Sequence, residues 1–263
     1  MKLHLNGADI DYTDQGTGLP VIFIHAFPLN KTMWYDQVEV MRLMCRAITL
    51  DLRGFGRSDA PPGPYLMDQM ASDVRGLLTS LEIERATLVG LSMGGYISLA
   101  FYRDYPEAVE AMVLADTRAT ADGDASREKR LKSAEKAERD GVGAIADELI
   151  PQLLGSSTLR RKPEVADRVR SMIEANSPSG IAGAQRGMAA RLDSTPILGS
   201  IDRPALIIVG DEDLITPVAE AEALRDGIRD SRLIVIKGAG HLSNIERPQE
   251  FSAALSDFIR LLL

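Results

Sequence analysis

Short continuous apolar runs alternate along this chain with longer segments in which apolar residues recur every three or four positions. The runs are rich in β-branched residues and are followed by turn residues, a pattern typical of buried parallel strands. They lie at residues 21–25, 45–50, 86–91, 111–115, 205–210 and 232–237. Lys2 to Thr13 instead alternates apolar and polar residues around Asn6-Gly7, which predicts a two-stranded antiparallel hairpin at the sheet edge.

The segments between these runs predict helices. Residues 68–81 and 93–104 each place their apolar side chains on one face, and Thr216-Pro217 marks the start of a helix that ends at Gly227. Alternating strands and helices predict one α/β domain, with a mostly parallel central sheet flanked by helices.

The alternation stops between Asp116 and Ala205, where the pattern is helical throughout. Residues 125–140 are densely charged, and we interpret them as a helix with a solvated face rather than a binding surface. Residues 163–175 and 178–192 are amphipathic. A helical insertion between two late strands predicts a lid over the carboxyl edge of the sheet. The predicted domains are a core of residues 1–116 and 201–263 and a helical cap of residues 117–200.

Composition narrows the function classes. The 263 residues include 30 Lys+Arg and 38 Asp+Glu, and the net charge of −8 argues against nucleic-acid binding. No apolar run is long enough to span a membrane and the N-terminus has no signal-peptide pattern, so we expect a cytoplasmic protein. A single cysteine, Cys45, excludes an internal disulfide and a cysteine-based zinc site. The three histidines lack metal-binding spacing, and we expect neither a metal nor a cofactor.

The strongest local motif is Gly90-Leu91-Ser92-Met93-Gly94, which follows a predicted strand and precedes a predicted helix. It fits G-x-S-x-G in the context that a nucleophile elbow requires. Glycines suit these positions because a sharp strand-to-helix turn leaves no room for neighbouring side chains. We predict that Ser92 is a nucleophile at a helix N-terminus. The alternative is a helix-capping serine followed by glycines that allow close packing.

A serine nucleophile requires a base and an orienting carboxylate. His241 follows the last predicted strand in Gly238-Ala239-Gly240-His241, and Asp213 follows the preceding strand. The chain order Ser92, Asp213, His241 is the order expected for this motif, so we predict that they form a catalytic triad. Asp116, which follows the run at 111–115, is the rival acid. Of the other histidines, we expect His4 at the surface and His25 in a loop beside the site.

Five segments carry a resemblance to a known family: His25-Ala26-Phe27-Pro28, residues 51–59 (DLRGFGRSD), the motif around Ser92, residues 210–213 and residues 238–241. Over essentially its whole length the chain resembles the α/β-hydrolase family. The D-x-R-G-x-G-x-S and G-x-S-M-G-G stretches are similar to its branch of esterases, 3-oxoadipate enol-lactonases and cofactor-free haloperoxidases. The resemblance implies an oxyanion hole made by the backbone N–H groups of Phe27 and Met93. One departure is Ala26, where the family usually has glycine.

The resulting functional hypothesis is a serine hydrolase that cleaves a small-to-medium carboxylic ester or lactone through an acyl-enzyme on Ser92. Its partner would be a small-molecule substrate, and the sequence sets no oligomeric state. Candidate substrate-binding residues are Trp34, Met172, Ile181 and Met188. Three alternatives use the same fold: an acyltransferase or perhydrolase, a hydrolase of carbon–carbon bonds, and a ligand receptor without turnover.

Overall fold

The computed structural model describes residues 1–263. Eight strands form one sheet in the order β1-β2-β4-β3-β5-β6-β7-β8. The strands are β1 (Lys2–Leu5), β2 (Ala8–Gln15), β3 (Pro20–Ile24), β4 (Arg46–Leu50), β5 (Ala86–Leu91), β6 (Val109–Ala115), β7 (Ala205–Gly210) and β8 (Ser231–Ile236). Strand β2 pairs antiparallel with β1 and β4, and all other pairs are parallel. This confirms the predicted α/β class and the predicted edge hairpin.

Helices surround the sheet and fill the insertion between β6 and β7. They are α1 (Tyr35–Met41), α2 (Met67–Ser80), α3 (Met93–Asp104), α4 (Asp124–Asp140), α5 (Val142–Leu153), α6 (Ser156–Arg161), α7 (Pro163–Glu174), α8 (Pro178–Ala189), α9 (Val218–Gly227), α10 (Ser243–Glu246) and α11 (Pro248–Arg260). Helix α1 packs against α11 and α2 against α3, whereas in the insertion α4 packs along α8 and α5 along α7. None of the helices has the length and apolar character that crossing a bilayer requires.

The core is built on the fully buried central strands. Every residue of β5 and β7 is buried, as expected for parallel strands covered on both faces. The same apolar cluster continues into the insertion through Ile145, Val169 and Ile181. At roughly 25 cal/mol per Å² of buried apolar surface, this continuity stabilises the insertion together with the sheet.

The loop after β3 is organised by a buried histidine. His25 Nδ1 lies 2.9 Å from the carbonyl oxygen of Ala26, and His25 Nε2 accepts a hydrogen bond of 3.0 Å from the backbone N–H of Leu52. Only a neutral imidazole with its proton on Nδ1 satisfies both contacts. Burial lowers the pKa of His25 to about 4. Ala26 does not take a left-handed φ, so alanine causes no backbone strain where the family usually has glycine.

Replacing His25 should change how the stability of the protein depends on pH. Because the folded pKa is below the unfolded value near 6.5, the unfolded chain gains a proton first as pH falls through the window from about 6.5 to about 4. His25 therefore makes the wild-type protein lose about 3 kcal/mol of unfolding free energy across that window. His25→Gln should not show this loss. The difference in unfolding free energy between wild type and His25→Gln should therefore become smaller as the pH falls.

Urea unfolding of both proteins at about pH 7.5 and at about pH 4.5 measures this difference. An equal gap at the two pH values would contradict the neutral, buried state of His25.

Candidate active site

The turn from β5 into α3 places Ser92 under backbone strain. Ser92 has φ 55° and ψ −113°, in the left-handed half of φ that a residue with a side chain rarely adopts. The turn is tight on both sides: a Cβ on Gly90 would lie 2.3 Å from the carbonyl oxygen of Gly94, and one on Gly94 would lie 2.2 Å from that of Ile24. Only glycine fits at these two positions, which gives the G-x-S-x-G motif its physical reason.

Three side chains from separate loops meet at the carboxyl edge of the sheet in a continuous chain of hydrogen bonds. Ser92 Oγ lies 2.7 Å from His241 Nε2, and His241 Nδ1 lies 2.8 Å from Asp213 Oδ2. The carboxylate accepts the proton on Nδ1, so Nε2 is free to accept the hydroxyl proton of Ser92. All three side chains are buried. The structure thus brings together the three residues that the sequence analysis placed in one triad.

The Asp213 carboxylate is held by donors beyond His241. Its Oδ1 accepts from the backbone N–H groups of Ile215 (2.8 Å) and Thr216 (3.0 Å), and its Oδ2 accepts from the Thr216 hydroxyl (2.7 Å). Burial alone raises the pKa of Asp213, but the charge of His241 and these hydrogen bonds hold the pKa below its usual value. The sequence analysis used Thr216 only as a helix start and missed this contact.

Asp116, the rival acid, lies on the neighbouring strand end but does not contact His241. Its Oδ1 accepts from the backbone N–H of Gly210 (2.9 Å), and its Oδ2 accepts from the Ser243 hydroxyl (2.5 Å). Burial, and the negative charge of nearby Asp213, hold the pKa of Asp116 well above its usual range. The surroundings of the two carboxyl groups thus shift their pKa values in opposite directions, and Asp213 is the one that lies next to the imidazole.

The loop that carries His241 is fixed to the helical insertion. The backbone N–H of His241 donates to the carbonyl oxygen of Leu153 (3.0 Å). The buried Glu246 accepts from the backbone N–H of Gly240 (2.9 Å) with one oxygen and from that of Gly155 (2.9 Å) with the other. One carboxylate therefore joins the histidine loop to the end of α5.

Two residues close to Ser92, Phe27 and Met93, have backbone N–H groups without a backbone hydrogen-bond partner. Met93 is the first residue of α3, so its N–H has no partner within the helix. The N–H of Phe27 makes no backbone hydrogen bond. The end of β3 lies against the first turn of α3, because a Cβ on Gly94 would lie only 2.2 Å from the carbonyl oxygen of Ile24. This contact brings the two N–H groups to the same end of the sheet.

A cavity of about 270 Å³ opens onto the triad. One side of the cavity includes Phe27, Ser92 and His241, and its roof comes from the insertion. The remaining lining residues are Tyr96, Arg118, Asp122, Ser126, Lys129, Arg130, Ser133, Glu148, Leu149, Gln152, Leu153, Gln185, Met188, Leu214 and Ile215. Polar and charged residues form the majority of this lining, which is unusual for a small-molecule cavity.

Of the four side chains proposed to contact substrate, the structure places only Met188 at this cavity. Trp34 is completely buried between the rings of Phe23 and Phe251, with centroids 5.4 and 5.9 Å away, so it is a packing residue. Met172 and Ile181 belong to the apolar cluster and do not line the cavity. Their helical periodicity indicated a buried face, but periodicity alone does not say what covers that face.

The charged segment now seen as α4 is not only a solvated face. Ser126, Lys129, Arg130 and Ser133 all line the cavity. The spacing of these residues, three to four positions apart, places them on one face of the helix. The sequence interpretation of this segment is therefore corrected: one polar face of α4 turns towards the site.

Comparison with known proteins agrees with this architecture. A family model described as alpha/beta hydrolase fold matches residues 20–248. 3-Oxoadipate enol-lactonase 2 of Acinetobacter baylyi is 31% identical over 89% of this chain and 86% of its own length.

Two solved structures resemble the whole chain. A thermophilic esterase from Thermogutta terrifontis, solved with malate bound, is 41% identical with a TM-score of 0.97, covering 100% of this chain and 98% of its own. The enol-lactonase from Burkholderia xenovorans LB400 is 30% identical with a TM-score of 0.93, covering 99% and 100%. The resemblance stated from the motifs is confirmed: the chain belongs to the alpha/beta hydrolase fold family.

Proposed function

We propose that this protein is a serine hydrolase that cleaves a small-to-medium carboxylic ester or lactone through an acyl-enzyme on Ser92. The observation that carries the proposal is the hydrogen-bond chain from Ser92 Oγ through His241 to Asp213, at 2.7 and 2.8 Å. Such a chain converts a weakly nucleophilic hydroxyl into a competent one. Esterases and enol-lactonases among the relatives support the same class of reaction.

The first half-reaction forms the acyl-enzyme. Ser92 Oγ attacks the acyl carbon while its proton moves to His241 Nε2, and the carbonyl oxygen becomes an oxyanion. We assign the N–H groups of Phe27 and Met93 as its donors, with the positive end of the α3 dipole adding stabilisation. As the ester bond breaks, the proton on Nε2 passes to the leaving oxygen. For a lactone, that hydroxyl stays attached to the ring-opened acyl group.

The second half-reaction returns the enzyme to its starting state. His241 Nε2 removes a proton from water, the resulting hydroxide attacks the acyl carbon, and Ser92 Oγ leaves with that proton. Asp213 keeps the imidazole in the required tautomer and stabilises its positive form throughout. We assign residues 117–200 as a helical cap, because this segment supplies the roof of the cavity.

Replacing Ser92 with alanine should abolish ester turnover without unfolding the protein. We expect kcat for a short-chain para-nitrophenyl ester to fall by about a thousand-fold or more, because no other hydroxyl of the cavity is hydrogen-bonded to His241 Nε2. A fluorophosphonate should add covalently to the wild-type protein and not to the variant, as intact-mass measurement shows.

Ser98→Ala is a matched control, since Ser98 lies on the same helix and its hydroxyl donates to the carbonyl oxygen of Gly94. It should keep both labelling and turnover. Near wild-type activity in Ser92→Ala would remove the basis of the proposed mechanism.

Paired substitutions should separate the two buried carboxyl groups. Asp213→Asn should lower kcat by about a thousand- to ten-thousand-fold, because a neutral amide cannot stabilise the positive imidazole. Asp116→Asn should lower kcat less than about ten-fold, because an amide resembles the protonated carboxyl that the raised pKa of Asp116 favours.

Steady-state kinetics of the two variants, with circular dichroism to establish folding, gives the comparison. The reverse ranking would show that Asp116 rather than Asp213 orients the histidine.

A further inference from the structure

Three arginines surround one buried aspartate beside the triad. Arg118 Nη2 donates to Asp122 Oδ1 at 2.6 Å, and Arg191 Nη1 lies 2.8 Å from Asp122 Oδ2. Arg130 Nε donates to the same Oδ2. The side chain of Asp122 is 1% exposed, and those of Arg118 and Arg130 are 22% and 19% exposed. We call these four residues the arginine cluster.

The arginine cluster has more positive than negative charge. Burial opposes the ionisation of Asp122, yet the surrounding guanidinium groups hold its pKa below the usual value, so it contributes one full negative charge. One carboxylate cannot balance three guanidinium groups, and Arg118 Nε is buried without a hydrogen-bond partner. Partly buried cations that lack counter-charges are costly unless an anion binds to them.

No carboxylate other than Asp122 forms an ion pair with the arginine cluster. Glu148 lines the cavity but is bound by Lys136 Nζ at 2.6 Å. Glu220 acts on Arg118 and Asp193 on Arg191 only through their charge, and neither carboxylate makes a hydrogen bond or ion pair with the arginine cluster. Lys129, at the exposed rim, has no carboxylate partner; its Nζ lies 3.5 Å from the Gln152 amide oxygen. The rim therefore adds further positive charge.

The members of the arginine cluster have different surroundings. Arg191 is stacked on the Tyr96 ring at 4.1 Å and does not line the triad cavity. Arg118 and Arg130, in contrast, both line the triad cavity. Arg118 follows Thr117, whose hydroxyl donates 2.8 Å to the carbonyl oxygen of Ser92, so this guanidinium group extends from a residue adjacent to the nucleophile turn.

We propose that Arg118 and Arg130 form a carboxylate-binding subsite, and that the preferred substrate is an ester or lactone whose acyl part carries a second, free carboxylate. A planar guanidinium group can donate two parallel hydrogen bonds to a carboxylate, and a substrate carboxylate would supply the negative charge that the arginine cluster lacks. The inference rests on the proposed reaction at Ser92 and adds the class of substrate.

The position of the arginines favours the acyl part over the alcohol part. Leu214, which lines the cavity, is 77% exposed, so we place the leaving alcohol at this open end. The acyl group stays bonded to Ser92 and occupies the interior, where Arg118 and Arg130 are largely buried. A carboxylate on the acyl group thus remains in the subsite through both half-reactions.

The test compares two substrates that differ only in charge: the mono-para-nitrophenyl ester of glutaric acid and the same compound with its free carboxylate capped as a methyl ester. Wild-type kcat/KM should be at least about ten-fold higher for the charged substrate. Arg118→Gln and Arg130→Gln should each lower this ratio by about ten-fold or more, because each removes a charge-assisted hydrogen bond. Arg130→Lys should retain part of it.

Arg186→Gln is the control, since Arg186 pairs with Glu138 (2.7 Å) on the outer side of α4 and α8 and does not line the cavity. It should leave both rates, and hence the ratio, unchanged. Equal kcat/KM for the two substrates in the wild-type protein would overturn the inference while leaving ester hydrolysis intact. Failure to cleave either substrate would instead count against the proposed function.

A binding measurement keeps the subsite testable without turnover. Glutarate should raise the melting temperature of Ser92→Ala, whereas its neutral diamide should not, because a ligand stabilises the state that binds it. Arg118→Gln, combined with Ser92→Ala, should remove the glutarate effect. If a substituted arginine prevents folding, the glutarate–diamide comparison in Ser92→Ala still decides the question, and equal shifts would refute the subsite.

Discussion

The close approach of the first turn of α3 to the end of β3 is the contact on which the rest of the site depends. A Cβ on Gly94 would lie only 2.2 Å from the carbonyl oxygen of Ile24, so the two backbones are nearly in contact. The chain therefore has to leave β5 in a strained turn that points Ser92 away from the sheet. The strain at Ser92 is offset by the burial of β5 and α3 on either side. The adjacent strand ends then deliver Asp116, Asp213 and the loop of His241 to the same edge.

The two buried carboxyl groups show how backbone context assigns different chemistry to the same residue type. Asp213 receives three hydrogen bonds besides its contact with the imidazole, so its charge is stabilised despite burial. Asp116 also accepts three hydrogen bonds but has no imidazole beside it, and burial together with the charge of Asp213 raises its pKa. When their surroundings push the pKa values of two carboxyl groups apart, the two groups can serve different purposes. Here Asp213 orients the imidazole, and Asp116 holds the backbone and Ser243.

Much of the fold and the triad could be predicted from sequence because both depend on local order along the chain. Each triad residue lies in the segment that follows a strand of the sheet, and parallel strands bring their carboxyl ends together. The arginine cluster could not be predicted in this way. Arg118 and Asp122 pair four residues apart on the loop after β6, but Arg130 on α4 and Arg191 after α8 join them only through the packing of the insertion. The net charge of −8 gives no sign of a locally positive cavity. The prediction that Trp34 lines the pocket was wrong, because a position close to the Phe27 loop in the sequence does not determine which way an aromatic ring points.

The bond between the histidine loop and the insertion has a consequence for how such proteins can diversify. Glu246 joins Gly240 to Gly155, and the N–H of His241 donates to Leu153, so the end of α5 helps to hold His241 in its hydrogen bonds with Ser92 and Asp213. A chimera that exchanged the whole helical segment for that of another protein would also exchange the support of His241. Recombination that preserves residues 153–155 while replacing α4, α7 and α8 would alter the roof of the cavity and keep the hydrogen bonds that hold the His241 loop. The boundary for modular exchange therefore lies inside the insertion, not at its two ends.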